Sequence, residues 1–159
     1  MKLGSTASIV RLAFAFGLVL LVGCGGGPNP EILPVSGVVS INGKPLPNAE
    51  VRFVPMEDGL DGNFIASGIT DKEGGFSLRL PGKEEVGCVA CLSKVTINDQ
   101  PMPGKVRAAY GNGNNALIKR YEDSLKNRPI PTEYKLLRNT PLSYEVSAEQ
   151  SEFNIEIKR

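Results

Sequence analysis

The 159-residue chain has no histidine and no tryptophan, only three cysteines, and only four tyrosines and six phenylalanines. Without histidine there is no Ser-His-Asp triad, no Cys-His pair and no histidine-bound metal. With no tryptophan and few tyrosines, the large aromatic rings that usually hold sugar faces are scarce. An excess of either charge is lacking too. The 18 Lys and Arg stand against 17 Asp and Glu, interspersed along the chain, and no basic patch invites nucleic acid or anionic lipid. No apolar run is long enough to span a bilayer, because the uncharged stretch from Leu12 to Gly23 is about half of what an α-helix needs. Behind Lys2 and Arg11, that stretch has the character of a signal-peptide core rather than of a permanent span.

What ends that run is Leu21, Val22, Gly23 and Cys24. The four residues resemble the lipobox of bacterial lipoproteins: Leu, a small or β-branched residue, Gly or Ala, then Cys. The resemblance implies that the Cys24 thiol is diacylated, that the chain is cut between Gly23 and Cys24, and that the new amine is often acylated as well. Two or three acyl chains, at roughly 0.8 kcal/mol per buried methylene, make such anchoring effectively permanent. Residues 1–23 are then the signal peptide and the mature chain is 24–159. Losing Lys2 and Arg11 leaves 16 basic residues against 17 acidic ones, a net charge near −1. Gly25, where an aspartate would signal inner-membrane retention in well-studied diderm bacteria, points to the outer membrane. The glycines and prolines of residues 24–32 suit a flexible tether, which places the domain at 33–159.

The mature length allows one domain with one core. Its punctuation is that of an antiparallel β protein. Runs from Val35 to Ile41, Ala49 to Val54, Phe64 to Thr70, Gly75 to Leu80 and Val86 to Ile97 read as strands, the last being the longest, and Ser143 to Val146 with Phe153 to Ile157 read as a closing hairpin. Asn42 and Gly43 supply the positive φ angles of a type I′ turn, although the residues from Lys44 to Asn48 make that connection longer than a two-residue hairpin. Asp71 accepts backbone N–H bonds at the next turn and Gly74 turns its last corner. Seven short strands at this spacing predict an all-β, antiparallel, Ig-like β-sandwich with a signal-peptide helix ahead of it. One stretch breaks the pattern. From Asn114 to Lys126 the residues Leu117, Ile118, Tyr121 and Leu125 form a helical stripe, capped by Asn114 or Asn115 and blocked by Pro129. The sequence therefore predicts one inserted helix within 99–131, either carrying function or covering a sheet edge.

The run VSGVVSINGKPLPNAEVRFVP (35–55), followed by TDKEGGF (70–76), resembles the carboxypeptidase regulatory-like, transthyretin-like β-sandwich. With the lipobox, IPTEY (130–134) and TPLSYEV (140–146) are similar to the small lipoproteins encoded in planctomycete genomes. The resemblance implies an accessory or recognition module; the fold itself does not imply catalysis. Two departures stand out: VGCVAC (86–91) replaces the usual Pro-Gly-x-Tyr lead into the fifth strand, and the helical insertion is long.

Five kinds of motif invite chemistry. Cys88 and Cys91 form a C-x-x-C pair, which lacks the partners of a thioredoxin-like or zinc site. On one continuous strand their Cα atoms would lie about 10 Å apart on opposite faces, so a disulfide requires Cys88 in a turn; otherwise the two are small buried hydrophobes. Asp71 and Glu73 align with only two of an EF-hand's ligands and read as a hairpin turn. Residues 111–116 match G-x-G-x-x-A, but the polar run from Lys105 to Tyr110 is no buried parallel strand, so this reads as a flexible loop. Glu84 with Glu85, Glu122 with Asp123, and Ser93 with Lys94 sit at adjacent positions that point apart, so neither a carboxylate pair nor a Ser-Lys dyad assembles. The expectation is no enzyme, no metal and no cofactor. The chain reads as a lipid-anchored envelope lipoprotein, held to the bilayer by acylated Cys24, whose domain scaffolds or binds an envelope protein and no nucleic acid. The alternative is a carbohydrate-binding module, which would need Tyr110, Tyr121 and Tyr134 on one exposed face.

Overall fold

The computed structural model describes residues 29–84 and 86–159. The expected signal peptide, the expected cleavage at Gly23 and the expected lipidation at Cys24 fall outside the described residues. Along the chain come β1 (Ile32–Leu33), β2 (Ser36–Ile41), β3 (Lys44–Pro45), β4 (Ala49–Pro55), a 3-10 turn (Gly62–Phe64), β5 (Ala66–Ile69), β6 (Gly75–Ser77), β7 (Cys88–Val89) and β8 (Leu92–Asp99). Helices α1 (Gly104–Asn112), α2 (Asn115–Ser124) and α3 (Thr132–Lys135) come next, then β9 (Ser143–Glu145) and β10 (Glu152–Ile157). The described chain is thus mostly β, with three helices.

Two four-stranded sheets carry the fold. In one, β2 is central: β10 pairs along one side of it, while β6 and β3 share the other. The second has the order β5-β4-β8-β9. The period-2 pattern decides which faces meet. Val39 and Ile41 of β2 and Phe153, Ile155 and Ile157 of β10 are buried, with Glu152, Asn154 and Glu156 facing out; Ala49, Val51 and Phe53 of β4 and Val95 and Ile97 of β8 complete the same core. Phe53 binds the two sheets together, its ring centroid 5.5 Å from that of Phe153 and 6.4 Å from that of Phe76, with Tyr144 stacked at 6.3 Å. Buried Thr70 is satisfied twice: its hydroxyl donates to the Leu46 carbonyl (2.6 Å) and accepts from the Ala49 N–H (2.8 Å).

Turn chemistry places the corners. Asn42 (φ 50°) and Gly43 (φ 72°) make the expected positive-φ turn. It closes a two-residue hairpin after all, because Lys44 and Pro45 pair back onto β2 before the chain crosses to the other sheet. The Asp71 carboxylate accepts N–H bonds from Glu73 (3.0 Å) and Gly75 (2.7 Å), so this side chain organises a turn. At Gly74 (φ 81°) a Cβ would lie 2.4 Å from the Val39 carbonyl oxygen, so both angle and space demand glycine.

Several expectations need correcting. Ser143 to Val146 and Phe153 to Ile157 form no hairpin: β9 pairs antiparallel with β8, whereas β10 pairs parallel with β2. The reason is the turn between Ser147 and Gln150, which carries the chain from one sheet to the other. The arrangement is therefore not purely antiparallel. The long strand from Val86 to Ile97 is broken, since Val86 bridges Arg79 and Cys88–Val89 leave the sheet to pair with β1, and only Leu92 onward joins β4. That pairing also shortens the tether: Ile32 is in β1 and the Glu31 carbonyl accepts from the Ala90 N–H (2.9 Å), so the domain begins before residue 33.

The insertion holds more helix than one stripe predicted. The run from Lys105 to Tyr110 is the body of α1, burying Val106 and Ala109 three residues apart. Gly111 lies in its last turn, Gly113 ends it in the left-handed conformation (φ 71°), and the Asn114 side chain caps α2 by accepting from the Leu117 N–H (3.2 Å). The G-x-G-x-x-A stretch is therefore an ordered helix-to-helix corner rather than a flexible loop.

Candidate functional site

The helices gather at one pole of the β body, and polar bonds attach them there. Arg128, whose side chain is 14% exposed, donates from Nε to Asp99 and from its terminal nitrogens to the carbonyls of Lys126 (2.8 Å), Pro47 (2.9 Å) and Asn48 (3.0 Å). Lys135 takes the other Asp99 oxygen at 3.2 Å. Burial pushes the Asp99 carboxyl up, but hydrogen bonds and charge from Arg128 and Lys135 outweigh it and hold it below the usual value. Asn48 donates its side-chain amide to the Ser124 carbonyl (3.0 Å), and Asn127 donates to that of Pro45 (2.7 Å). The end of α2 and the segment after it are thus pinned to the chain between Pro45 and Asn48.

This attachment leaves a cleft of about 400 Å³, lined by Pro47, Asn48, Lys72, Arg120, Asp123, Ser124 and Lys126. Among the described residues, none of Lys72, Arg120 and Lys126 has a carboxylate oxygen within 4.0 Å, while Asp123 is engaged by Lys119 at 3.5 Å. The surrounding segment is basic as a whole. Residues 104–138 carry eight Lys and Arg against three Asp and Glu, net +5, whereas residues 29–103 with 139–159 carry eight against fourteen, net −6. Charge read along the whole chain as interspersed is therefore divided unevenly between segments. Counting charge by predicted segment would have found it.

The N-terminal strand lies at the opposite pole. Glu31 bonds to Ala90, two residues before β8 begins, and β8 then runs from Leu92 to Asp99 at the helical pole. At about 3.3 Å per residue the two poles are roughly 20 Å apart along that strand.

The other candidates resolve individually. Cys88 and Cys91 are free and buried. Burial, with Cys91 nearby, pushes the Cys88 thiol up to about 12; burial also raises Cys91, whose Sγ lies 3.8 Å from the Ser93 hydroxyl. Such neutral thiols are poor nucleophiles and poor metal ligands. Tyr134 is in the core, Tyr121 is half-buried, and exposed Tyr110 donates its hydroxyl to Glu122 (3.0 Å), so the three share no exposed face. Glu122 thus serves Tyr110 while Asp123 borders the cleft. Among the described residues no group of three or more His, Cys, Asp or Glu is placed to hold a metal, and no helix is long and apolar enough to cross a membrane. No family model, no curated protein and no solved structure matches this chain.

Proposed function

We propose that this chain is a lipid-anchored envelope lipoprotein, acylated at Cys24 after cleavage from Gly23, whose non-catalytic domain offers its helical pole to an envelope protein. The observation that carries the reading is the opposition of the two poles. Glu31 lies beside Ala90, and the helices sit at the far end of β8. An anchor on Cys24 would hold the first pole toward the bilayer and turn the basic helical pole away from it. Residues 24–30 reach at most roughly 25 Å when extended, so they separate domain from membrane without letting it roam far. Outer-membrane placement is the reading that Gly25 supports.

The finer fold reading is the Ig-like, transthyretin-like sandwich. Its support is the strand count once the two-residue strands β1, β3 and β7 are set aside. Seven strands remain, β10-β2-β6 on one sheet and β5-β4-β8-β9 on the other, over one core. The planctomycete-type lipoprotein resemblance agrees with this reading. The carbohydrate-binding alternative is left without its aromatic platform, because Tyr134 packs inside.

The test is the intact mass of protein extracted from membranes, beside a Cys24→Ala variant. The expected result is the mass of residues 24–159 plus acyl chains, lost in the variant. An uncleaved or unacylated product overturns the proposal.

A further inference from the structure

We propose that the cleft between α2 and the turns at Pro47–Asn48 and Asp71–Gly74 binds a sugar-sized polyanion, one carrying at least two phosphate, sulfate or carboxylate groups. Three cations converge there from distant parts of the chain. Lys72 comes from the turn between β5 and β6, Arg120 from the middle of α2 and Lys126 from just beyond it. Like charges gathered at one concavity repel, and these three have no carboxylate within 4.0 Å among the described residues. An anion seated between them would relieve that repulsion, and the planar guanidinium of Arg120 can grip an oxyanion with two parallel hydrogen bonds.

Three backbone carbonyls and a hydroxyl of the lining are already engaged within the protein. The Pro47 and Asn48 carbonyls accept from Arg128, the Ser124 carbonyl accepts from the Asn48 amide, and the Ser124 hydroxyl donates to the Tyr121 carbonyl (2.6 Å). Only Asp123 brings negative charge to the lining, and Lys119 compensates it. The Arg128 clamp joins the Pro47–Asn48 turn to the chain at Lys126 before any ligand arrives, which limits the ordering that binding would otherwise require. A volume of about 400 Å³ fits a phosphorylated or sulfated monosaccharide or disaccharide and is too small for a folded partner. This site is independent of the anchor: the mass measurement on Cys24 can fail while ligand binding stands, and the reverse.

The test is calorimetric titration of the full chain with glucose 1,6-bisphosphate, with glucose and inorganic phosphate as controls. Saturable binding of the bisphosphate is expected, at least tenfold tighter than inorganic phosphate, with none for glucose. Raising NaCl from 0.05 to 0.5 M should weaken it by roughly tenfold, as exposed charges are screened. Arg120→Ala and Lys126→Ala should each weaken binding by about tenfold, with the thermal midpoint unchanged, while Lys83→Ala on the acidic body should leave it alone. No saturable binding, equal affinity for inorganic phosphate, or equal losses from Lys83→Ala and Arg120→Ala would overturn the proposal.

Discussion

The β body and the helical pole are held in contrasting ways. In the body, alternate residues of facing strands are wholly buried, and the aromatic rings of Phe53, Phe76, Tyr144 and Phe153 meet at its centre. At the pole, α3 with the segment just before it reaches the core through Ile130 and Tyr134, but α1 buries only Val106 and Ala109 and α2 buries no residue completely; Arg128, Asn48 and Asn127 attach the end of α2 and the segment after it through hydrogen bonds. Apolar burial is non-directional and large, whereas each net hydrogen bond contributes only about 1 kcal/mol. The body should therefore unfold as one unit, and the pole should open at lower free energy while the body stays folded. The division suits a binding surface carried on a rigid support.

The largest effect is expected from breaking the body. Phe53→Ala removes the ring that touches both sheets, at a cost of about 3–5 kcal/mol, read as a lower urea midpoint for the whole domain. A change confined to one sheet, seen by hydrogen exchange, would show that the sheets are separate units.

A smaller and local effect is expected at the pole. Arg128→Ala frees the carbonyls of Pro47, Asn48 and Lys126 and leaves Asp99 with Lys135 alone, at about 1–3 kcal/mol. Hydrogen exchange should quicken across residues 104–126 with protection of β4 and β8 unchanged. Equal loss in both regions would erase the distinction between body and pole.

pH sharpens the contrast by acting at opposite ends of the scale. Cys88 has a folded pKa raised from 9.0 to about 12, so the unfolded chain loses its proton first. Its contribution to stability is whole below pH 9 and fades as pH rises toward 12. Between pH 8 and 10 the body should lose roughly 1 kcal/mol from this group, a slope that Cys88→Ala flattens. Asp99 has a folded pKa below its ordinary 3.8. Its contribution is present above that value and disappears as pH falls through the lower folded one, so acid should loosen the pole first and Asp99→Asn should remove that sensitivity. If acid exposes body and pole together in hydrogen exchange, the ion cluster does not hold the pole.

Much of the β body was legible because its signals are local. Period-2 alternation in Phe153, Ile155 and Ile157 assigns that strand and its buried face without any partner in view, and Asn42-Gly43 and Gly74 mark turns whose φ angles other residues resist. The second helix was legible from the stripe of Leu117, Ile118 and Tyr121 and the cap at Asn114. α1 escaped because only Val106 and Ala109 are buried in a run otherwise polar enough to pass for loop. The broken strand after Val86 escaped because Cys88 and Val89 are as β-prone as the residues from Leu92 onward; their pairing with β1 is the contact that takes them out of the sheet.

By itself the sequence determined where strands alternate, where turns must fall and, through the absence of histidine, which chemistries lack their residues. Tertiary structure alone decided that β10 runs parallel to β2, that the N-terminal strand and the helices occupy opposite poles, and that Lys72, Arg120 and Lys126 share one cleft. The physical reason is range. Backbone preference and side-chain periodicity act over a few residues and are written locally, whereas sheet partners and the meeting of charges 48 to 54 positions apart depend on which buried faces find each other when the chain closes its core.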